Sequence, residues 1–311
     1  VTTQTLAPVA DNVRDGEISE DAPAVPEVEV TGPGVYGDMP FEQYLARPEL
    51  SSTDLLKLVE DCPAMFKWDK ANPAPPKKEF DFGSVAHKLI LGEGKQVKVL
   101  KDSRGAPFED MRSGAAREAK ERAYANGQIP ILQKDYAHAT AMAWQVQHHP
   151  IAAGLLTEGK PEQSAFWKDP RTQVDMRCRF DWLRERRDPR LIIVDYKTTS
   201  KGLGSFALER TIYEHGYHQR MAHYRDGAIV LGLGDETTVI NLIFQMTKPP
   251  YLVHVVQFTP EMIKLGRARN AAAVDTYLEC TASGYWPAYD DVANVALPGW
   301  AEARDMEYLN V

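Results

Sequence analysis

The sequence predicts one α/β domain: a mixed sheet with helices packed on it, preceded by a helical extension. Three observations lead there. Helical patterns fill the chain up to about residue 157, segments of strand composition crowd into residues 161–258, and helical patterns recur between and after those strands. At 311 residues, 43% apolar and 26% charged, the chain can bury a substantial core, and no internal repeat is visible.

Residues 1–32 are rich in Asp, Glu, Pro, Val and Thr without periodicity, and read as a disordered acidic tail. The domain then spans 33–311, mainly helical over 33–157, with the sheet and C-terminal helices over 158–311. Order is expected to begin near GVYGDMP. In SSTDLLKLVEDCPAMFKW, Ser51 or Ser52 is the expected N-cap and Leu55, Leu56 and Val59 the apolar face. Cys62-Pro63 ends or restarts that helix, and Met65, Phe66 and Trp68 read as packing anchors. ANPAPPKK reads as a loop. FDFGSVAHKLILGEG reads as a helix entered at Gly83 and left at Gly92. A solvated helix is expected over 101–127, and another over 134–156, interrupted by Pro150. Strands follow at 161–168, 174–183, 190–197, 237–246 and 250–258. Helices are expected at 205–231 and 260–283, the latter with Met262, Ile263, Leu265 and Ala272 on its apolar side. Trp68, Trp167 and Trp300 read as core.

Several function classes recede. No apolar run nears the roughly 18 residues needed to span a bilayer, and the polar, acidic N-terminus lacks a signal-peptide pattern. Cys62, Cys178 and Cys280 are far apart and lack CxxC spacing, which argues against a disulfide framework, a zinc site or an iron–sulfur cluster. A reducing compartment, the cytoplasm, is the expectation. Net charge is −8, of which residues 1–30 contribute −6 through seven acids against Arg14 alone. The rest is nearly neutral, so overall charge neither argues for nucleic acid nor excludes a locally basic groove.

The chemistry concentrates in LIIVDYKTTS (191–200). Four apolar residues open a buried strand, then Asp195 and Lys197 follow on one side of it, since strand side chains alternate with period two. In the preceding strand, VDMRCRFDWL, Met176, Cys178, Phe180 and Trp182 alternate with Arg177, Arg179 and Asp181. The turn-like RERRDPR lets the two strands pair as a hairpin, bringing Asp181 to Asp195 and Lys197. Two carboxylates and a lysine suit metal-assisted phosphodiester hydrolysis. Hard oxygens hold Mg²⁺ or Mn²⁺, and the lysine positions the nucleophile or stabilises phosphate charge. A solvated ion pair across a hairpin is the competing reading. Arg177 and Arg179 either grip DNA phosphate or pair with acids of the same sheet.

The order GSVAH (83–87), CRFDWL (178–183), VDYKTT (194–199) and GYHQRMAHY (216–224) resembles the PDDEXK nuclease superfamily, and more narrowly its RecE-like (exonuclease VIII) branch of phages and prophages. The likeness runs from about residue 35 to 302 and includes SSTDLL, CPAMFKW, EQSAFWKD (162–169) and LPGW (297–300). It implies a restriction-endonuclease-like core and a ligand set of His87, Asp181, Asp195 and the Tyr196 carbonyl for one or two Mg²⁺ ions, Mn²⁺ substituting. Lys197 matches the catalytic lysine. Glu162 matches an acid before the aromatic strand, either near the metal or simply solvated. Tyr224 matches the tyrosine of the following helix. Glutamine stands five residues before it rather than four, so either Gln219 or Arg220 takes the DNA-contacting role. Thr198, Thr199 and Ser200 offer hydroxyls to phosphate, and Ser51 and Ser52 either touch the DNA channel or only cap. The implied activity is a 5′→3′ exonuclease on linear double-stranded DNA, giving 3′ overhangs for a single-strand annealing protein, from a ring-shaped homo-oligomer such as a tetramer. The acidic tail is a candidate docking or autoinhibitory segment. An endonuclease of the same fold, or an inactive DNA-binding scaffold, remain rival readings; the lack of a cysteine cluster weighs against a CRISPR-adaptation type.

Overall fold

The computed structural model describes residues 27–73, 82–184, 190–289 and 292–310. Most of the expected acidic tail, most of the ANPAPPKK loop, the RERRDPR turn and the Trp300 side chain lie outside the described residues. Six strands form one mixed sheet in the order β1-β4-β5-β6-β7-β8. They are β1 (Gly34–Tyr36), β4 (Gly159–Lys168), β5 (Asp175–Arg184), β6 (Ile192–Thr199), β7 (Val239–Met246) and β8 (Val253–Gln257). All neighbours are antiparallel except β6 and β7, which run parallel from Ile192↔Val239 to Thr199↔Met246. A parallel step needs a crossover, and α8 (Ser205–Glu214) and α9 (Tyr217–Val230) supply it. The expected continuous helix over 205–231 is therefore two. Gly216 sits in the left-handed region at φ +58°, where a Cβ would also meet Leu56 Cδ1 at 2.4 Å.

One face of the sheet buries Cys178, Phe180, Ile193 and Leu242 against α2 (Ser52–Glu60), α9 and α10 (Pro260–Ser283). The other buries Val194, Tyr196 and Ile243 against α4 (Phe82–Leu91), α6 (Gln133–Gln147) and α7 (Ala152–Leu155). A small parallel sheet, β2 (Val97–Val99) with β3 (Ile129–Ile131), packs its apolar side chains on Val85 and Ala139. Neither strand was expected, being three residues long. The solvated helix starts later than expected: α5 spans Gly114–Ala125 behind an Ser113 cap. Ahead of it Asp102 accepts from the N–H groups of Arg104 and Ala106, a turn that competes with helix.

Two packing expectations are corrected. Of the α3 (Pro63–Ala71) anchors only Phe66 is buried; Met65 and Trp68 are exposed, because Phe66 alone faces Tyr277 and Trp286. On α10 the buried stripe runs through Ile263, Gly266, Asn270, Ala273 and Val274, while Leu265 and Ala272 face outward. Gly266 draws the stripe inward: a Cβ there would lie 2.2 Å from the His218 carbonyl, so α9 and α10 touch backbone to backbone. The remaining segments are α1 (Phe41–Ala46), α11 (Gly299–Asp305) and a 3-10 turn at Met306–Asn310. Among the described residues no helix is long and apolar enough to cross a membrane.

Candidate metal centre

The site lies in a fork. β4 and β5 pair from Gly159↔Arg184 to Lys168↔Asp175, but β5 and β6 pair only at Trp182↔Val194 and Leu183↔Ile193 and then splay. Splaying leaves the Tyr196 N–H without a strand partner, and Asp181 Oδ2 accepts it at 3.0 Å. Asp181 is thereby pinned to β6. β7 holds β6 from the other side, and the Tyr196 hydroxyl donates to Gln245 Oε1 at 2.7 Å. Gln245 in turn donates to the Met142 and Tyr251 carbonyls at 3.0 and 3.1 Å, so the strand carrying the site is fixed to α6 by a satisfied buried network.

Four groups converge in the fork. His87, projected by α4, places Nε2 3.4 Å from Asp181 Oδ2 and Nδ1 3.4 Å from Glu162 Oε1. One ligand atom from each of His87, Glu162 and Asp181 lies within 4.8 Å of the others. Lys197 Nζ is 3.5 Å from Asp181 Oδ2, donates to the Tyr196 carbonyl at 3.3 Å, and forms a close ion pair with Asp195. The side chains of His87, Glu162, Asp181 and Lys197 are 17–23% exposed, whereas that of Asp195 is 2% exposed. The first four can reach a ligand from solvent; Asp195 lies behind Lys197.

The electrostatics follow from that layering. Burial opposes charge on Asp181, yet Lys197, His87 and the Tyr196 N–H outweigh it and hold its carboxyl well below the usual range. Burial and the Asp181 charge push Asp195 upward, Lys197 opposing them. Lys197 is desolvated, but Asp181 and Asp195 more than compensate and raise it above an ordinary lysine. His87 is raised likewise, its burial outweighed by Asp181 and Glu162. Carboxylate oxygens with one imidazole suit Mn²⁺ or Mg²⁺. His87, Glu162 and Asp181 fit such an ion directly. Asp195, expected as a ligand, forms an ion pair with Lys197 at the same site.

The other expected residues divide. Arg177 is corrected: it is 5% exposed, donates to the Glu49 carbonyl at 3.0 Å and to that of Tyr44, and lies over the Tyr44 ring. It clasps the N-terminal strap (residues 27–49) to β5, away from solvent. Arg179 pairs closely with Glu162, the acid-pairing alternative. Gln219 is corrected too: it is fully buried between α9 and α10, its Oε1 accepting from Arg269 Nε at 2.9 Å. Arg220, one residue on, turns toward the fork, donates to Thr53 Oγ1 at 3.2 Å and lowers Asp195 through space. Tyr224 packs edge-on to Phe180. Ser51 caps α2 in a reciprocal box with Asp54, and Ser52 is buried. Thr198 and Thr199 are half-buried at the end of β6, with Thr199 Oγ1 accepting from Lys201 N–H at 3.0 Å; Ser200 is exposed.

Two residues escaped the sequence reading. Tyr217, whose ring lies 5.9 Å from Lys197 Nζ, shares the i, i+3, i+7 face with Arg220 and Tyr224, and that spacing was visible. Gln245 is, with Asn241, one of two buried polar residues in VINLIFQM, and it is the one that carries the network with Tyr196, Met142 and Tyr251.

Residues 52–296 match the model of a PDDEXK-like domain of unknown function (DUF3799), and the chain belongs to that family. Among solved structures it is similar to the crystal structure of a "putative exonuclease" from Eubacterium rectale, with TM-score 0.54 and 8% identity over 83% of this chain and 94% of that one. At that identity the likeness is one of fold. No curated protein matches the sequence.

Proposed function

We propose that this chain is a divalent-metal-dependent deoxyribonuclease. The observation that carries the reading is the fork itself: His87, Glu162 and Asp181 converge within reach of one cation, with the Lys197 ammonium beside them. A bound Mg²⁺ or Mn²⁺ would neutralise phosphate and acidify its water there. Lys197, held between Asp181 and Asp195, is directed at the phosphate oxygens and the attacking water. Arg220, Tyr217 and Tyr224 line the neighbouring face of α9, where the DNA backbone would pass. Water adds to phosphorus and the P–O3′ bond breaks, leaving a 5′-phosphate and a 3′-hydroxyl.

The RecE-like resemblance of the motifs supports a narrower reading. It is a 5′→3′ exonuclease on linear duplexes, making 3′ overhangs for an annealing protein and working as a homo-oligomer. Linear duplex labelled at either 5′ or 3′ end, incubated with Mg²⁺ or EDTA beside a closed circle, tests it. Metal-dependent early loss of the 5′ label with the circle intact is expected. Nicking of the circle would replace the exonuclease with an endonuclease, and no cleavage under any divalent metal would leave a scaffold.

A further inference from the structure

Glu162 sits in the middle of β4 with φ +52°, a left-handed conformation that side chains other than glycine rarely adopt and that tends to mark functional positions. It interrupts the β4–β5 ladder between Pro161↔Trp182 and Gln163↔Phe180. Something must hold its carboxylate there. Arg179 does so while 13% exposed: Nε pairs with Glu162 Oε2, and Nη1 donates to the Met39 carbonyl at 2.8 Å and to Ser164 Oγ at 3.1 Å. The rings of Phe41 and Tyr44 flank the guanidinium, each 5.8 Å from it. With Oε2 engaged, the other oxygen, Oε1, faces His87 Nδ1.

We propose that Arg179 is a positioning residue that occupies one oxygen of Glu162 so that the other is presented to the divalent cation, and that it ties this placement to the N-terminal strap through the Met39 carbonyl. The proposal rests on the metal-site reading above. Two effects oppose each other when Arg179 is changed. Loss of a positive charge near the site would tighten cation binding, while loss of the clasp would loosen it. Groups that orient metal ligands typically contribute 10–100-fold to affinity, and a forked guanidinium fixes geometry that a point charge cannot.

Mn²⁺ binding to the full chain, followed by calorimetry or by the spin resonance of free Mn²⁺, decides the matter, with melting curves alongside. Arg179→Lys keeps the charge and loses the fork; it is expected to weaken Mn²⁺ binding about tenfold, and Arg179→Met up to about 100-fold. Combined with Glu162→Gln, Arg179→Lys should add little further, since both act on one ligand. Unchanged or tighter binding in Arg179→Met, or full additivity with Glu162→Gln, would overturn the proposal while leaving the metal site standing. If both Arg179 variants unfold, the residue belongs to the fold and the proposal fails. Absence of Mn²⁺ binding in the wild type would instead remove the metal-site reading, and this proposal with it.

Discussion

Arg177 and Arg179 stand two apart on one strand, yet they do different things, and neither reaches solvent in the manner of a phosphate grip. Replacing Arg177 with Met removes donors from the Glu49 and Tyr44 carbonyls. It should cost on the order of 2 kcal/mol or more, read as a fall in melting temperature, with the salt dependence of DNA binding unchanged. His223 offers a pH test. It is buried, its Nε2 donates to the Arg177 carbonyl at 2.9 Å, and burial pushes its pKa down to about 4 from 6.5, the backbone bond and the more distant Asp54 and Asp169 opposing. The unfolded chain therefore binds the extra proton first. Stability from this group is complete above about pH 6.5 and is lost as pH falls toward 4, by roughly 2 kcal/mol between pH 7 and 5. Denaturant melts of wild type and His223→Gln should differ in slope across that window; equal slopes would show His223 is not buried neutral. Period two placed Asp195 beside Lys197 and set Asp181 opposite, whereas His87 and Glu162 were named only through the resemblance of the motifs. What period two cannot say is what covers the far side of a strand, so the strap that engages Arg177 was invisible.

At the scale of elements, strand splaying makes the site and helix contact supports it. Because α9 and α10 meet at Gly266, Gly266→Val would drive a side chain into the His218 carbonyl and Ala222 Cβ. Neither is a flexible tip, so the helices must part, at about 1–3 kcal/mol or more, and the melting temperature should drop by several degrees. An unchanged melt would show that this contact is looser than the backbone geometry requires. Helix and strand order could be read from the sequence because each long element carries its own period. The break at Gly216 could not, since the pattern on either side of it is equally helical. The outward turn of Leu265 and Ala272 was hidden for a related reason: a stripe passing through Gly266 and Asn270 is set by close approach, which hydrophobicity does not record.

For the whole molecule, the mixed sheet was predictable from strands followed and separated by helices, and the pairing of β5 with β6 from the turn-like run between them, but the splay that opens the fork was not. The small β2–β3 sheet was not, since three-residue strands lack a period to detect. In the proposed function the fork hydrolyses phosphodiesters with a divalent metal and Lys197. The most direct test compares wild type and Lys197→Ala on linear duplex DNA in Mn²⁺ and in EDTA, at matched folding by circular dichroism. Cleavage by the wild type that EDTA abolishes is expected, with a loss of about 100-fold or more in the folded variant. Equal cleavage by the two proteins, or cleavage that persists in EDTA, would contradict the proposed function.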